Sequence, residues 1–254
     1  HRGAGGIPIA SRLSTDDEFR AFARVLSDYD HGVFMATCGE NHGISFIEEI
    51  CSISGKPSCY APHFYHPNQP KRAARIMEQA EDARQRGLPV FTQGSCQPLS
   101  LSFFLDSAYS LKTYSLWPDT EDRDELRKVF SDSSFRNEFR QALTVFDSAH
   151  LFTGRWEWVS IAIAGLEKNA DLEGRNIAEI ASERGVDPLD LFFDLGLEED
   201  FGTKYTFFML NMVEEGVADI IVNDGTLISL SDAGAHNSLL CDAGYAMYLF
   251  GHWT

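Results

Sequence analysis

The feature that most constrains the fold is a repeated alternation of short apolar runs with longer amphipathic segments. The runs GVFMATC (32–38), PSCYAPH (57–63) and PVFTQ (89–93) have the length and near-continuous hydrophobicity of strands that are buried on both faces. The segments between them, 44–55 and 70–87, keep helical spacing, and each ends at a glycine. Strands and helices that alternate in this way predict parallel βαβ units with right-handed crossovers.

The same pattern predicts a helix before the first strand. Thr15 and Glu18 have the spacing of a capping box, in which each side chain bonds the backbone N–H of the other residue. Phe19, Phe22 and Leu26 then follow at helical spacing.

The alternation is interrupted after the third strand. Residues 99–150 are rich in Phe, Asp and Arg and contain no run comparable with the first three strands, which predicts a helical insertion. Strands resume at EWVSIAIA (157–164) and TLISLS (226–231), and two short helices are expected within 174–197, the second beginning at Asp187. The predicted fold class is therefore α/β with a helical insertion at about 99–150, and the length of the chain fits one (β/α) barrel or two smaller domains.

Five strand candidates fall short of the eight strands of a closed barrel. The whole chain, residues 1–254, is therefore predicted to form one partial barrel domain that is incomplete by itself. Strands as apolar as these need a cover. It is supplied by the segment 99–150, by a second copy of the chain, or by an upstream segment outside this sequence, and we favour the homo-oligomer or the upstream segment.

Charge and cysteine usage narrow the class of protein. A formal net charge of −17 argues against a nucleic-acid partner and against an anionic membrane surface. The sequence has no apolar run of the roughly 18 to 20 residues that span a membrane. The five cysteines are an odd number without a CxxC pair, which is typical of a reduced protein. We expect a cytoplasmic protein that acts on small molecules.

Functional residues in parallel α/β folds gather at the carboxyl ends of the strands. Cys38, His63 and Gln93 lie at three of these predicted ends, and each has an alternative role, as a small buried hydrophobe, in loop packing or in satisfying backbone groups. Asp232 follows an apolar strand, so its carboxylate must be paired, bind a metal or face a cavity. His236, four positions later, either binds a substrate carboxylate or shares a proton with Asp232, or it makes a loop hydrogen bond.

The last third of the chain carries a family resemblance. The segment LEGRNIAEIASERGVDPLDLFFDLGLEED (172–200), followed by TLISLSDAGAH (226–236), resembles the carboxyl-terminal part of the barrel in amidohydrolases of the D-aminoacylase (N-acyl-D-amino-acid deacylase) type. The earlier stretches HRGAGGIPIASRL, GVFMATCGEN, GKPSCYAPHF and RGLPVFTQGS align with that family in the same order. The resemblance implies a TIM-type barrel and zinc-dependent hydrolysis of an amide. It also implies that Asp232 is the aspartate that contacts metal and moves a proton of the attacking water.

The chain departs from this family at the metal ligands. The His-x-His pair of the first barrel strand has no counterpart, and the place of the fifth-strand histidine falls on Thr37 or Cys38. The resemblance therefore implies His63 and Asp232 as ligands, with Cys38 as a possible third, whereas catalytic zinc sites use three protein ligands. Two functions stay open: a metal-dependent hydrolase of C–N bonds in small N-acylated amino acids or related compounds, and a metal-free relative whose barrel mouth binds a ligand.

Overall fold

The computed structural model describes residues 13–38, 42–145, 150, 152–231 and 243–254. The chain divides into two compact units. Unit one comprises His1–Gln97, Val213–Ser231 and Gly244–Thr254, and unit two comprises Pro98–Met212 and Asp232–Ala243.

The helices and strands follow one another along the chain with short connections. In chain order they are α1 (Asp16–Ser27), β1 (Phe34–Thr37), α2 (Ile44–Ser54), β2 (Ser58–His63), α3 (Pro70–Gln85), β3 (Val90–Gly94), β4 (Leu99–Phe104), α4 (Arg123–Ser131), α5 (Ser133–Ala142), β5 (Val159–Ile163), α6 (Ile177–Arg184), α7 (Pro188–Glu198), β6 (Lys204–Leu210), α8 (Glu214–Ile221), β7 (Thr226–Ile228) and α9 (Tyr245–His252).

Unit one contains the parallel sheet that the sequence predicts. Its strand order is β1-β2-β3-β7, and every neighbouring pair is parallel. Helix α2 buries Ile44, Ile47 and Ile50 on one face, in a cluster that also contains Tyr60 of β2 and Val90 of β3. The apolar stripe of the helix and the helix-facing side of the strands therefore form one core.

The ends of the helices in unit one follow the sequence signals with one exception. Gly55 ends α2 in the left-handed conformation (φ 64°), and its N–H bonds the Cys51 carbonyl at 2.9 Å, as the glycine predicts. The capping box predicted for α1 is wrong, because the Thr15 side chain makes no cap hydrogen bond. The first turn instead carries three acidic residues, Asp16, Asp17 and Glu18, which the helix dipole favours there.

The pairing of β2 with β3 shifts by one residue near its carboxyl end. Tyr60 lies opposite Thr92, whereas His63 lies opposite Gly94, so β2 has one more residue than β3 over this stretch, which includes the cis Ala61–Pro62 bond. Because side chains alternate between the faces of a strand, the shift places His63 on the same face of the sheet as Thr92. Without the extra residue His63 would lie on the opposite face.

Unit two is built around an antiparallel sheet of order β4-β6-β5. Three strands of this sheet differ from the sequence prediction. Strand β5 is predicted in the parallel sheet, β4 is predicted as part of a helical insertion, and β6 is not predicted. Strand β4 (LSLSFF) buries Leu99, Leu101 and Phe103 and leaves the two serines between them half-buried. This alternation is typical of a strand with one face towards solvent. Such a strand contains no continuous apolar run, so it is not recognised by that criterion.

No closed barrel is present within the residues that the structure describes. The four parallel strands and the three antiparallel strands form two separate sheets. Several apolar residues of the predicted insertion lie in unit two's own core, where Phe103, Leu105 and Trp117 pack with Phe193 and Tyr205. In the same described ranges, every helix is too short or too polar to cross a membrane.

Candidate functional site

The candidate site lies at the carboxyl end of the parallel sheet in unit one. Three of the predicted residues, Cys38, His63 and Gln93, fall in or directly after β1, β2 and β3. Asp232 and His236 lie outside the described residues, and Ser231 is the last described residue before them. The geometry of the site is therefore that of the three strand ends and of β7, from which the chain continues to Asp232.

His63 begins a chain of polar side chains that crosses three strands. Its side chain is fully buried, and Nδ1 lies 3.0 Å from the Thr92 hydroxyl of β3. The Thr92 hydroxyl lies 2.9 Å from the Thr226 hydroxyl of β7. Thr226 donates in turn to Oδ1 of Asn223, at 3.3 Å. The chain ties β2, β3 and β7 together on the face that the register shift gives to His63.

The direction of these hydrogen bonds follows from the last member. Asn223 Oδ1 also accepts the Gly225 N–H at 3.0 Å, so it is an acceptor, and the Thr226 hydroxyl must donate to it. A hydroxyl has one proton, so Thr92 donates to Thr226, and Nδ1–H of His63 donates to Thr92. This assigns the Nδ1–H tautomer to His63 and leaves a lone pair on Nε2.

The Nε2 atom of His63 is buried and has no hydrogen-bond partner among the described residues. Burial lowers the pKa of His63 to about 4, and the nearby Ala73 carbonyl opposes this shift without being a partner of Nε2. The imidazole is therefore neutral at neutral pH. Metal-binding histidines are neutral, with one ring N–H held by a second group and a lone pair on the other nitrogen. His63 has this form, because Thr92 holds Nδ1–H and Nε2 has no hydrogen-bond partner among the described residues.

Cys38, the possible third ligand, is packed as a buried side chain. It is buried, and its thiol points back to the Ala36 carbonyl at 3.7 Å. Burial raises the pKa of Cys38 to about 12, with a further contribution from Cys59. The thiol is therefore protonated at neutral pH when no metal is bound. The packing matches the alternative role, a small buried hydrophobe.

The described part of the chain does not supply a zinc site. It contains no group of three or more His, Cys, Asp or Glu side chains that could hold a metal ion. His63 offers one lone pair, but a catalytic zinc needs three protein ligands. The described donor set therefore does not fit zinc, and the assignment of His63, Cys38 and Asp232 as its ligands stays a prediction.

Gln93, predicted to bind substrate, links two strands. Its side-chain amide donates to the Ser229 hydroxyl at 3.0 Å and lies 3.5 Å from the Ser229 carbonyl. Gln93 thus joins β3 to the residues that follow β7. A substrate would have to compete with Ser229 for the amide N–H, so the substrate-binding role stays a prediction.

Sequence reasoning missed Thr92, Thr226 and Asn223. The signal was a hydroxyl residue inside each of two otherwise apolar strands, PVFTQ and TLISLS. A buried hydroxyl in an apolar strand needs a partner. Two such residues in strands that pair are therefore candidates for a cross-strand hydrogen bond.

The end of β3 also anchors the last helix of the chain. Trp253 Nε1 donates to the Cys96 carbonyl at 2.7 Å, and the Cys96 thiol lies 3.2 Å from the Tyr245 carbonyl. One buried cysteine thus contacts both ends of α9. The helix therefore lies beside the carboxyl end of the sheet.

Comparison with known proteins finds resemblance only among solved structures. No protein-family model matches the chain, and no curated protein matches it. A D-aminoacylase described as defining a novel subset of amidohydrolases shares 18% identity with a TM-score of 0.42. A D-aminoacylase mutant in complex with copper chloride shares 16%, with a TM-score of 0.41. In both cases the match covers 87% of this chain and 36% of the other.

A third structure is an N-acyl-D-glutamate deacylase from Bordetella bronchiseptica, complexed with zinc and a phosphonate inhibitor. It shares 14% identity with a TM-score of 0.41, over 86% of this chain and 36% of the deacylase. The chain thus spans about a third of the length of the structures that it matches. Two of the three are D-aminoacylases, the type that the sequence resembles. With TM-scores near 0.4, the likeness defines neither the fold nor the chemistry of this chain.

Proposed function

We propose that the protein hydrolyses the amide C–N bond of small N-acylated amino acids or related amides, with Asp232 as the carboxylate that handles the proton. The observation that carries the proposal is the place of β7. This strand lies parallel to β3 at the edge of the sheet, and its carboxyl end leads through Ser229 and Ser231 to Asp232. Carboxyl ends of parallel strands are where such folds bind and transform ligands.

The proposed reaction balances with one carboxylate. A water oxygen attacks the amide carbon, and Asp232 accepts the proton that the water loses. The carboxylic acid then returns this proton to the amide nitrogen as the C–N bond breaks. The products are a carboxylic acid and an amine, and at neutral pH the proton of the acid moves to the amine to give a carboxylate and an ammonium group. His236, four positions along, is proposed to bind the carboxylate of the substrate.

A second candidate is a metal-free relative that binds a ligand without hydrolysing it. The observation that favours it is the Cys38 thiol, which is buried and has a pKa raised by burial. A relative that has lost catalytic activity but has kept the ligand-binding ends of its strands would have such a buried thiol at this place.

Release of amine from N-acetyl-D- and N-acetyl-L-amino acids separates the two candidates. The hydrolase proposal expects turnover of at least one series, measured as free amine with and without added zinc. Binding of the same compounds by calorimetry with no turnover under either condition would overturn the hydrolase and support the binding protein.

We expect less than one zinc per chain in the dialysed protein, because histidine ligands of the family that it resembles have no counterpart in this sequence. Elemental analysis after dialysis measures the ratio, and Cys38→Ala serves as the comparison. Its zinc content should equal that of the wild type, since Cys38 is a buried thiol. Stoichiometric zinc in the wild type that is lost in Cys38→Ala would show that Cys38 is a ligand after all.

A further inference from the structure

Helix α1 carries two apolar stripes, and unit one covers one of them. On the inner stripe, the Phe19 ring packs against Phe34 of β1 and Phe46 of α2, with ring centroids 6.4 and 5.7 Å apart. Phe22 and Val25 lie three residues apart on the adjacent side, and more than half of each side chain is exposed. A surface helix needs one apolar stripe to pack on its own core, so the second stripe is available to a partner.

The strand beside α1 is an edge strand. In the part of the chain that the structure describes, β2 is the one strand that neighbours β1. The N–H groups of Phe34 and Cys38 donate to carbonyls on the β2 side, at 3.0 and 2.7 Å. Backbone groups of successive strand residues point to opposite sides, so the N–H and C=O groups of Met35 and Thr37 point to the open edge. An open edge of this kind can pair with another strand.

The apolar surface around this edge is large enough for a dimer. The α1–β1 edge has five bulky apolar side chains that are 57% to 63% exposed, namely Phe22, Val25, Tyr29, Val33 and Met35. Side chains of this kind have about 150 Å² of surface or more, so the five leave about 500 Å² exposed. A stable dimer buries about 800 Å² per copy. The five side chains supply more than half of this area, and the edge backbone with its flanking residues supplies the rest.

We propose that the α1–β1 edge joins two copies of the chain around a two-fold axis, with their β1 strands paired antiparallel. The outward backbone groups fix the register. Met35 lies opposite Thr37 of the second copy, where each pair exchanges two backbone hydrogen bonds, and the two Ala36 residues face each other at the axis. The same surface serves both copies, as a two-fold interface requires, and the two parallel sheets become one continuous sheet.

The charge of α1 is compatible with this arrangement. Each copy has a formal net charge of −17, so association requires that like charges stay apart. The acidic residues of α1 all lie in its first turn, at Asp16, Asp17 and Glu18. The two-fold axis makes the two α1 helices antiparallel, so their first turns lie at opposite ends of the interface. A helix of this length spans about 18 Å, which is beyond the roughly 8 Å over which salt screens charges.

Sedimentation equilibrium of the whole chain over a range of concentrations measures the dimer. We expect the wild type to form a dimer at micromolar concentration and Val25→Lys to raise the Kd at least about tenfold, because a charge enters the apolar stripe. Thr37→Pro should do the same, since it removes an N–H that points to the open edge and not one that bonds β2. Val222→Lys is the control, because Val222 is an equally exposed apolar residue at the end of α8, and its Kd should stay within about twofold.

Cross-linking tests the register itself. Residues that face each other in a hydrogen-bonded antiparallel pair have Cα atoms about 5.5 Å apart, within the range of a disulfide. With oxidised glutathione as oxidant, a mixture of Met35→Cys and Thr37→Cys should form a covalent dimer, and either variant alone should not. A wild type that stays monomeric at all concentrations would overturn the proposal, and so would a dimer that Val25→Lys and Thr37→Pro both leave intact. Circular dichroism of each variant shows that the comparison is made between folded proteins.

Discussion

Replacing Asp232 with asparagine is expected to remove amide hydrolysis and leave the protein folded. Asparagine has the same shape, but its neutral amide does not accept the proton of the attacking water. General base catalysis contributes about 10²- to 10⁴-fold in rate, so kcat should fall by about that factor. Steady-state release of amine from the best N-acyl substrate measures the loss, and thermal unfolding followed by circular dichroism shows whether the fold is kept.

The neighbouring carboxylate Asp224 provides the control. It is exposed and lies in the turn before β7, so Asp224→Asn removes one negative charge from the same part of the sequence. Its kcat should equal that of the wild type. If Asp232→Asn keeps activity within a few-fold, the catalytic assignment is wrong. If that variant unfolds while Asp224→Asn does not, the carboxylate has a structural role.

The sequence predicted the elements whose signal is local. Strands β1, β2 and β3 are continuous apolar runs, and a strand buried on both faces has no reason to alternate. Helix α7 begins where Asp187 and Pro188 predict, with the Asp187 side chain accepting the N–H groups of Leu189 and Asp190. These signals need nothing beyond the residues of the element itself.

The elements that sequence reasoning missed depend on the neighbouring strand. Strand β6 (KYTFFML) buries Tyr205 and Phe207 and leaves its other residues half-buried. This pattern becomes recognisable as a strand once β4 and β5 flank it. The extra residue in β2 is of the same kind, since a bulge is defined by the partner strand. The sequence gives no sign that His63 changes face there.

The residues of the candidate site also divide into those that local sequence predicts and those that depend on strand pairing. Cys38, His63 and Gln93 were predicted at strand ends and lie there, because strand ends follow from local pattern. The partners that define their chemistry do not follow from it. Thr92 and Thr226 are 134 residues apart in the chain, and their contact exists only because β7 pairs with β3. The lone pair of His63 and the buried thiol of Cys38 are likewise consequences of packing.

The second large effect is expected at Glu199 in unit two, a buried carboxylate that the sequence analysis did not single out. It is 6% exposed and accepts three hydrogen bonds, from the Gly165 N–H at 2.6 Å, the Asn169 amide at 2.7 Å and the Thr203 hydroxyl at 2.5 Å. It lies just before Asp200 and Phe201, both of which have positive φ, 50° and 63°. The carboxylate therefore fastens a strained turn to the segment that contains Gly165 and Asn169.

Glu199→Ala should lower the free energy of unfolding by about 3 to 5 kcal/mol, since each buried donor left without an acceptor costs about 1 to 3 kcal/mol. Denaturant unfolding of the wild type and the variant at neutral pH measures the difference. Glu198→Ala is the control, because Glu198 is exposed and pairs with Lys168 at the surface, a contact worth less than about 1 kcal/mol. A loss at Glu199 no larger than at Glu198 would show that the three donors find water or other acceptors.

The protonation of Glu199 gives the same prediction a pH dependence. Burial raises the pKa of the carboxyl, but the hydrogen bonds from Thr203, Asn169 and the backbone N–H groups of Gly165 and Leu166 outweigh it, so the pKa is lowered. The unfolded chain therefore takes up the proton at higher pH than the folded protein does. This stabilisation is complete above the pKa of the unfolded carboxyl and is lost as pH falls through the folded value. Glu199→Gln does not titrate, so its difference from the wild type should shrink in acid, and a difference constant with pH would contradict the lowered pKa.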